Sequence, residues 1–288
     1  MAIEIGILFA ITTMLSFGLA DFLAKKVVDN IGPVKALFFN QIMALVPIFI
    51  ISMFLSKIPA ISPELILLIA LGAFFSIGGF IFFYKSLQKG YLSITYPIDS
   101  SWAVITVPLS IFLFGEALTS LQSMGIVITF IGIFLTSTNL NEFKKSIKLI
   151  KFNGIKEAFI AMILFGLAFT LTKPQVTLAG PLMAVLFFRL AMFAYLIPWV
   201  KISKVKITLP NRIIVLFLLG SSLLEVLGLF CYNIGITTEY VSILSAITAM
   251  APAVTVLLAF VFLKEKVVNN QKLGIVAVLI GLLLISIV

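Results

Sequence analysis

The 288-residue chain is 62% hydrophobic and 11% charged, with a mean hydropathy of +1.25. Globular domains average about 45–50% apolar and about 25% charged residues, so a soluble fold is excluded. The net charge of +9 follows from where the lysines fall around a membrane, so the bilayer is the expected partner and nucleic acid is not.

A spanning helix needs about 20 mainly apolar residues. Ten such stretches follow one another, at 4–24, 33–55, 63–84, 92–114, 119–138, 155–172, 180–200, 211–236, 241–263 and 269–288. The first lacks the basic n-region and small-residue cleavage site of a signal peptide, so it reads as a membrane helix. Within it, Asp21 precedes Lys25 by one turn, a spacing that suits a local ion pair.

The third stretch ends at Tyr84 and Lys85. The fourth opens on Tyr96, Pro97, Asp99 and Trp102. Pro97 leaves a backbone carbonyl without its helical donor, and unwound polar stretches of this kind bind ligands in transporters. The plainer reading is a hydrated surface Asp99 with Trp102 as packing. In the fifth stretch Gly125 and Gly132 share a helix face and mark a close helix–helix contact, as do Gly274 and Gly281 in the tenth.

Arg189 lies within the seventh stretch and Glu225 within the eighth. Ionisable groups at bilayer depth cost about 2.5–3.5 kcal/mol each on insertion scales and face a cavity or a partner. Consecutive antiparallel helices bring this pair to the midplane. It reads either as a substrate or ion site, with Glu225 as proton carrier, or as a structural ion pair. Tyr84, Tyr96, Trp102 and Tyr232 line a cavity in one reading and form interfacial belts in the other.

The candidate substrate-binding set is therefore Asp99, Arg189, Glu225, Tyr84, Tyr96, Trp102 and Tyr232, and Glu225 and Asp99 are the candidate proton carriers. The chain contains no histidine and one cysteine, Cys231. That excludes Ser-His or Cys-His nucleophile pairs, His-based zinc chemistry and an internal disulfide. No phosphate-cradling glycine loop is present, so direct ATP drive is not expected. No enzyme activity, metal or cofactor is expected.

The two halves repeat. At an offset of 148, Phe17, Gly18, Leu23, Lys25, Gly32 and Pro33 meet Phe165, Gly166, Leu171, Lys173, Gly180 and Pro181. At 149, Tyr91, Ser93, Glu116, Gln122, Gly125 and Gly132 meet Tyr240, Ser242, Glu265, Gln271, Gly274 and Gly281. The expected organisation is a first repeat over 1–140, a basic loop over 141–154 and a second repeat over 155–288. With five spans each, the copies enter the membrane in opposite senses. The fold class is an all-α integral membrane protein of ten helices in two inverted five-helix repeats. Inverted repeats are a recurring transporter architecture, with substrate bound near the midplane between them.

These motifs, doubled and in order, resemble the drug/metabolite transporter superfamily, in its ten-span branch built from two EamA domains. The family's aromatic–Gly with Lys eight residues after the aromatic matches Phe17-Gly18…Lys25 and Phe165-Gly166…Lys173, with Phe for the more usual Trp. Its apolar–Gly–Glu ending after a proline matches Phe114-Gly115-Glu116 behind Pro108. In the second copy Leu263-Lys264-Glu265 follows Pro252, with Lys for Gly. Arg189 fits the arginine many relatives carry in a repeat's second span, where the first copy has Gln41.

The resemblance implies a secondary carrier of small metabolites, such as amino acids, nucleobases, sugars or drugs, often proton-coupled. The expectation is export of amino acids or related compounds across the plasma membrane. A multidrug or cation exporter is the alternative within transport, and a membrane scaffold the alternative outside it. Of the 20 Lys and Arg, all but Lys57, Lys173 and Arg189 lie on or beside the odd-to-even loops. Positive charge marks the cytoplasmic side, so both termini are expected outside. The resemblance implies cytoplasmic termini instead; the expectation of external termini rests on the charge distribution.

Overall fold

The structure, a computed structural model, describes residues 5–55, 57–89, 98–138, 140, 154–263 and 268–286. Twelve helices and no strand lie among the described residues: α1 (Ile5–Ile31), α2 (Pro33–Leu55), α3 (Pro63–Lys89), α4 (Ala103–Phe114), α5 (Ser120–Ser137), α6 (Ile155–Thr170), α7 (Thr172–Ala179), α8 (Pro181–Ile202), α9 (Arg212–Gly235), α10 (Val241–Thr248), α11 (Ala251–Leu263) and α12 (Asn269–Ile285). Eight stretches are long and apolar enough to cross a membrane, with α6–α7 and α10–α11 each forming one; α4 and α12 are shorter apolar helices. Large apolar side chains cover the outside, Phe54 and Phe112 both 82% exposed. Hydrocarbon solvates them, while the helices satisfy their own backbone groups.

The helix breaks follow local chemistry. Gly32 and Gly180 take φ of 78° and 77°, a left-handed conformation that costs glycine little because it has no Cβ. Pro33 and Pro181 then open α2 and α8. At a first helical position proline forfeits only an N–H that would have no helical partner. Thr119 and Gln122 cap α5 reciprocally, through the Thr119 hydroxyl at 3.2 Å and the Gln122 carbonyl at 2.9 Å.

Packing is reciprocal between the halves. Phe17 covers Gly228, and Phe165 covers Gly79. Gly18 abuts Val254, and Gly166 abuts Ile105. Thr106 donates its hydroxyl to the Gly166 carbonyl at 2.9 Å, and Thr255 donates to the Gly18 carbonyl at 3.0 Å. Each of these contacts has its mate in the other half. α1 thus lies antiparallel on α9, while α3 lies on α6.

α5 and α12 cross where the glycines repeat. A Cβ at Gly125 would sit 2.9 Å from the Gly281 carbonyl oxygen, and one at Gly132 would sit 3.0 Å from the Gly274 carbonyl oxygen. Between helices in lipid, van der Waals contact replaces the hydrophobic effect as the driving force, and only small residues allow backbones this close.

Candidate functional site

Arg189 lies eight residues into α8 and Gln41 eight residues into α2, each about 12 Å from its helix start at 1.5 Å per residue. The Arg189 side chain is 2% exposed. Its Nη2 donates to Glu225 Oε1 at 2.9 Å, and its Nη1 donates to Gln41 Oε1 at 3.3 Å. Glu225, thirteen residues along α9, keeps 30% of its side chain exposed. A buried guanidinium is tolerable only with such partners, because its desolvation costs several kcal/mol.

The pair closes one wall of a cavity of about 100 Å³. Phe17, Phe80, Phe165, Phe169 and Phe188 form its apolar walls, and Ser76 and Thr172 add hydroxyls. Phe80 and Phe165 meet edge to face at 5.0 Å. One turn of α9 beyond this cavity lies an aromatic layer. Trp102 stacks on Phe169 at 4.0 Å, Phe169 meets Tyr232 edge to face at 5.3 Å, and the Tyr232 hydroxyl bonds Ser245 Oγ at 2.7 Å. Tyr232 is fully buried. A larger groove of about 300 Å³, between α3 and α8, is lined by apolar residues and Tyr195. It has no charged group and faces outward, so the chemistry belongs to the smaller cavity.

Glu116 follows the left-handed Gly115 that ends α4 and is buried. Its Oε1 accepts from Lys173 Nζ at 3.2 Å and from the Val241 amide at 2.8 Å; its Oε2 accepts from the Ser242 amide at 2.9 Å. The carboxylate caps α10, where the helix dipole favours negative charge. Lys173 also stands 4.6 Å above the Phe114 ring.

Of the residues singled out in the sequence, Arg189 and Glu225 come together, and Trp102 and Tyr232 meet through Phe169. Asp99 is 9% exposed and its Oδ1 has no hydrogen-bond partner. It does not line the cavity. Tyr96 and the Tyr84 side chain lie outside the described residues, as do the Lys25 side chain and Glu265. Three further groups stand at or near the site. Gln41 was noted only as a replacement for arginine, though its position opposite Arg189 in the repeat was the available signal. Asp21 is exposed and stands within electrostatic reach of both Glu225 and Asp99. Five phenylalanines, none singled out in the sequence for a site, wall the cavity.

A model of a family described as EamA-like transporter family matches this chain twice, over residues 4–138 and 153–287. Uncharacterized protein MJ1333.1 of Methanocaldococcus jannaschii is 32% identical over 136 residues, covering 47% of this chain and 96% of that protein. One half of the chain therefore corresponds to nearly all of that relative. A solved crystal structure, described only as that of a protein, superposes with a TM-score of 0.82 over 99% of each chain at 15% identity. That likeness concerns the fold alone.

Proposed function

This chain belongs to the EamA-like transporter family, and we propose that it is a secondary transporter exporting small metabolites, amino acids or related compounds, by alternating access. It is a multi-pass membrane protein of a transporter family that is not enzymatic. The reading places ten spans in two inverted five-helix repeats, over 1–140 and 155–288, in the plasma membrane. The reciprocal contacts of Phe17 with Gly228 and Phe165 with Gly79 support it, as does the double family match.

One observation carries the proposal: Arg189 bonds Gln41, the residue at its own position in the other half. Equivalent residues of two copies can touch only beside the axis that relates them. This reading puts the Arg189–Glu225 cavity beside that axis, where inverted-repeat carriers bind substrate. A guanidinium and a carboxylate beside phenylalanine walls offer complementary groups to a zwitterion with an apolar side chain. Access from the side of the exposed Asp21 is access from the Lys-rich face, taken as cytoplasmic, and that suits export. Glu225 is the proposed proton carrier, with Asp99 as a second candidate.

The cavity volume separates the readings. Drug-sized ligands occupy pockets of about 300–1,000 Å³, whereas this cavity holds about 100 Å³. The multidrug or cation alternative draws its support from the aromatic walls and from Glu225, which cancels the charge of Arg189. A scaffold would need neither group for anything but stability.

The test is metabolite profiling inside and outside cells expressing wild type or a folded Arg189→Gln/Glu225→Gln double variant. A compound class that crosses only with wild type supports the carrier and names its substrate. Equal shifts in both would leave the pair structural, and no shift in either removes support for a metabolite carrier.

A further inference from the structure

We propose that Glu116, Lys173 and the Trp102–Phe169 stack form the gate on one membrane face, and that the aromatic stack has no counterpart at the corresponding positions of the opposite face. The proposal rests on the alternating-access reading and identifies which side chains hold one face shut.

The contacts cross between the halves. Glu116 and Trp102 belong to the first half; Lys173, Phe169, Val241 and Ser242 belong to the second. Three hydrogen bonds converge on the Glu116 carboxylate, whose side chain is fully buried while Lys173 remains 28% exposed. Charge-assisted bonds of this kind are about twice as strong as neutral ones. Beneath them the Trp102–Phe169 stack closes the way to the cavity, and every residue from Val241 to Ala253 is buried. No separation of the halves at this face can occur while both layers are intact.

The repeat makes the opposite face chemically different. At an offset of 149 Trp102 corresponds to Ala251, and at 148 Phe169 corresponds to Asp21. A methyl group and an exposed carboxylate stand where the other face has two stacked rings. Backbone packing is shared by both faces, as Thr106–Gly166 and Thr255–Gly18 are equivalent bonds. The aromatic plug is not. The exposure pattern agrees with this asymmetry: Asp21 is exposed and Glu225 keeps 30% of its side chain exposed on one side, whereas Tyr232, Ser245 and Thr248 are buried on the other.

The test uses the full chain in membranes, with the single cysteine removed by Cys231→Ser and Ser76→Cys placed in the cavity wall. Thr237→Cys, on the exposed turn after α9, reports which side is the Glu116 face. A membrane-impermeant maleimide is added from that side. Labelling of Ser76→Cys is expected to be slow in the parent and at least about tenfold faster with Lys173→Met, Glu116→Gln or Trp102→Ala. Lys173→Met matters most, because it removes the ion pair and leaves the α10 cap in place if Glu116→Gln fails to fold. Unchanged labelling in folded Lys173→Met and Trp102→Ala overturns the gate, even where solute flux persists. Faster labelling without any solute flux would keep the gate and count against the carrier.

Discussion

Arg189 and Gln41 occupy the same position in the two halves, and they are hydrogen-bonded to each other at 3.3 Å. Under the proposed inverted-repeat arrangement, such a pair meets only beside the axis that relates the two halves. One member is charged and the other is not, so a single carboxylate, Glu225, suffices to balance the centre. Two arginines there would face each other at close range in a medium of low dielectric.

The first prediction concerns that balance. Glu225→Gln leaves Arg189 buried without a counter-ion, and breaking a buried pair costs about 3–5 kcal/mol. Glu225 opens to the cavity, so the lower end of that range is expected. Arg189→Gln/Glu225→Gln should recover part of the loss. Unfolding midpoints of the single and double variants in one detergent check this; a double variant less stable than Glu225→Gln would contradict it.

Transport should depend on the same carboxylate. In proteoliposomes with an imposed pH gradient, Glu225→Gln is expected to abolish proton-driven flux of the substrate identified by profiling, with the protein still folded. Undiminished pH-driven flux in that variant would remove Glu225 from the proton path.

The α5–α12 crossing should be intolerant of volume. A Cβ at Gly281 lies 2.9 Å from the Gly125 carbonyl oxygen, and overpacking typically costs about 1–3 kcal/mol. Gly281→Val is expected to lower the unfolding midpoint more than Gly281→Ala, because the backbones must move further apart. Equal stability of wild type and both variants would mean that the two helices are free to separate.

Orientation is open to direct measurement. Thr237→Cys is expected to react with impermeant thiol reagents from outside the cell, and Ser203→Cys, beside Lys201 and Lys204, only from inside. The reverse pattern would mean that the lysine excess does not mark the cytoplasmic face in this protein.

Much of the architecture was legible along the chain. Gly32-Pro33 and Gly180-Pro181 signal a helix stop and start by local sterics alone, and both are seen. The glycines at 125, 132, 274 and 281 announce a close crossing, and α5 and α12 make it. Arg189 and Glu225 were legible because charge is rare and costly at bilayer depth. Glu116 was legible as the end of an apolar–Gly–Glu motif, but its amide partners, 125 and 126 residues away, left no mark in the local pattern. The Trp102–Phe169 stack was equally silent.

Sequence by itself determined what each segment is: apolar enough to enter a membrane, broken at glycine and proline, and present in two copies. Those properties depend on local sterics and on transfer from water, which act residue by residue. Only the tertiary structure decided which faces meet. Helices that are apolar all round carry little directional hydrophobic signal, so shape and a few polar contacts choose their neighbours. That choice set Gln41 against Arg189, placed Glu116 on the amides of α10, and gave one face a plug of two rings where the other has Ala251 and Asp21.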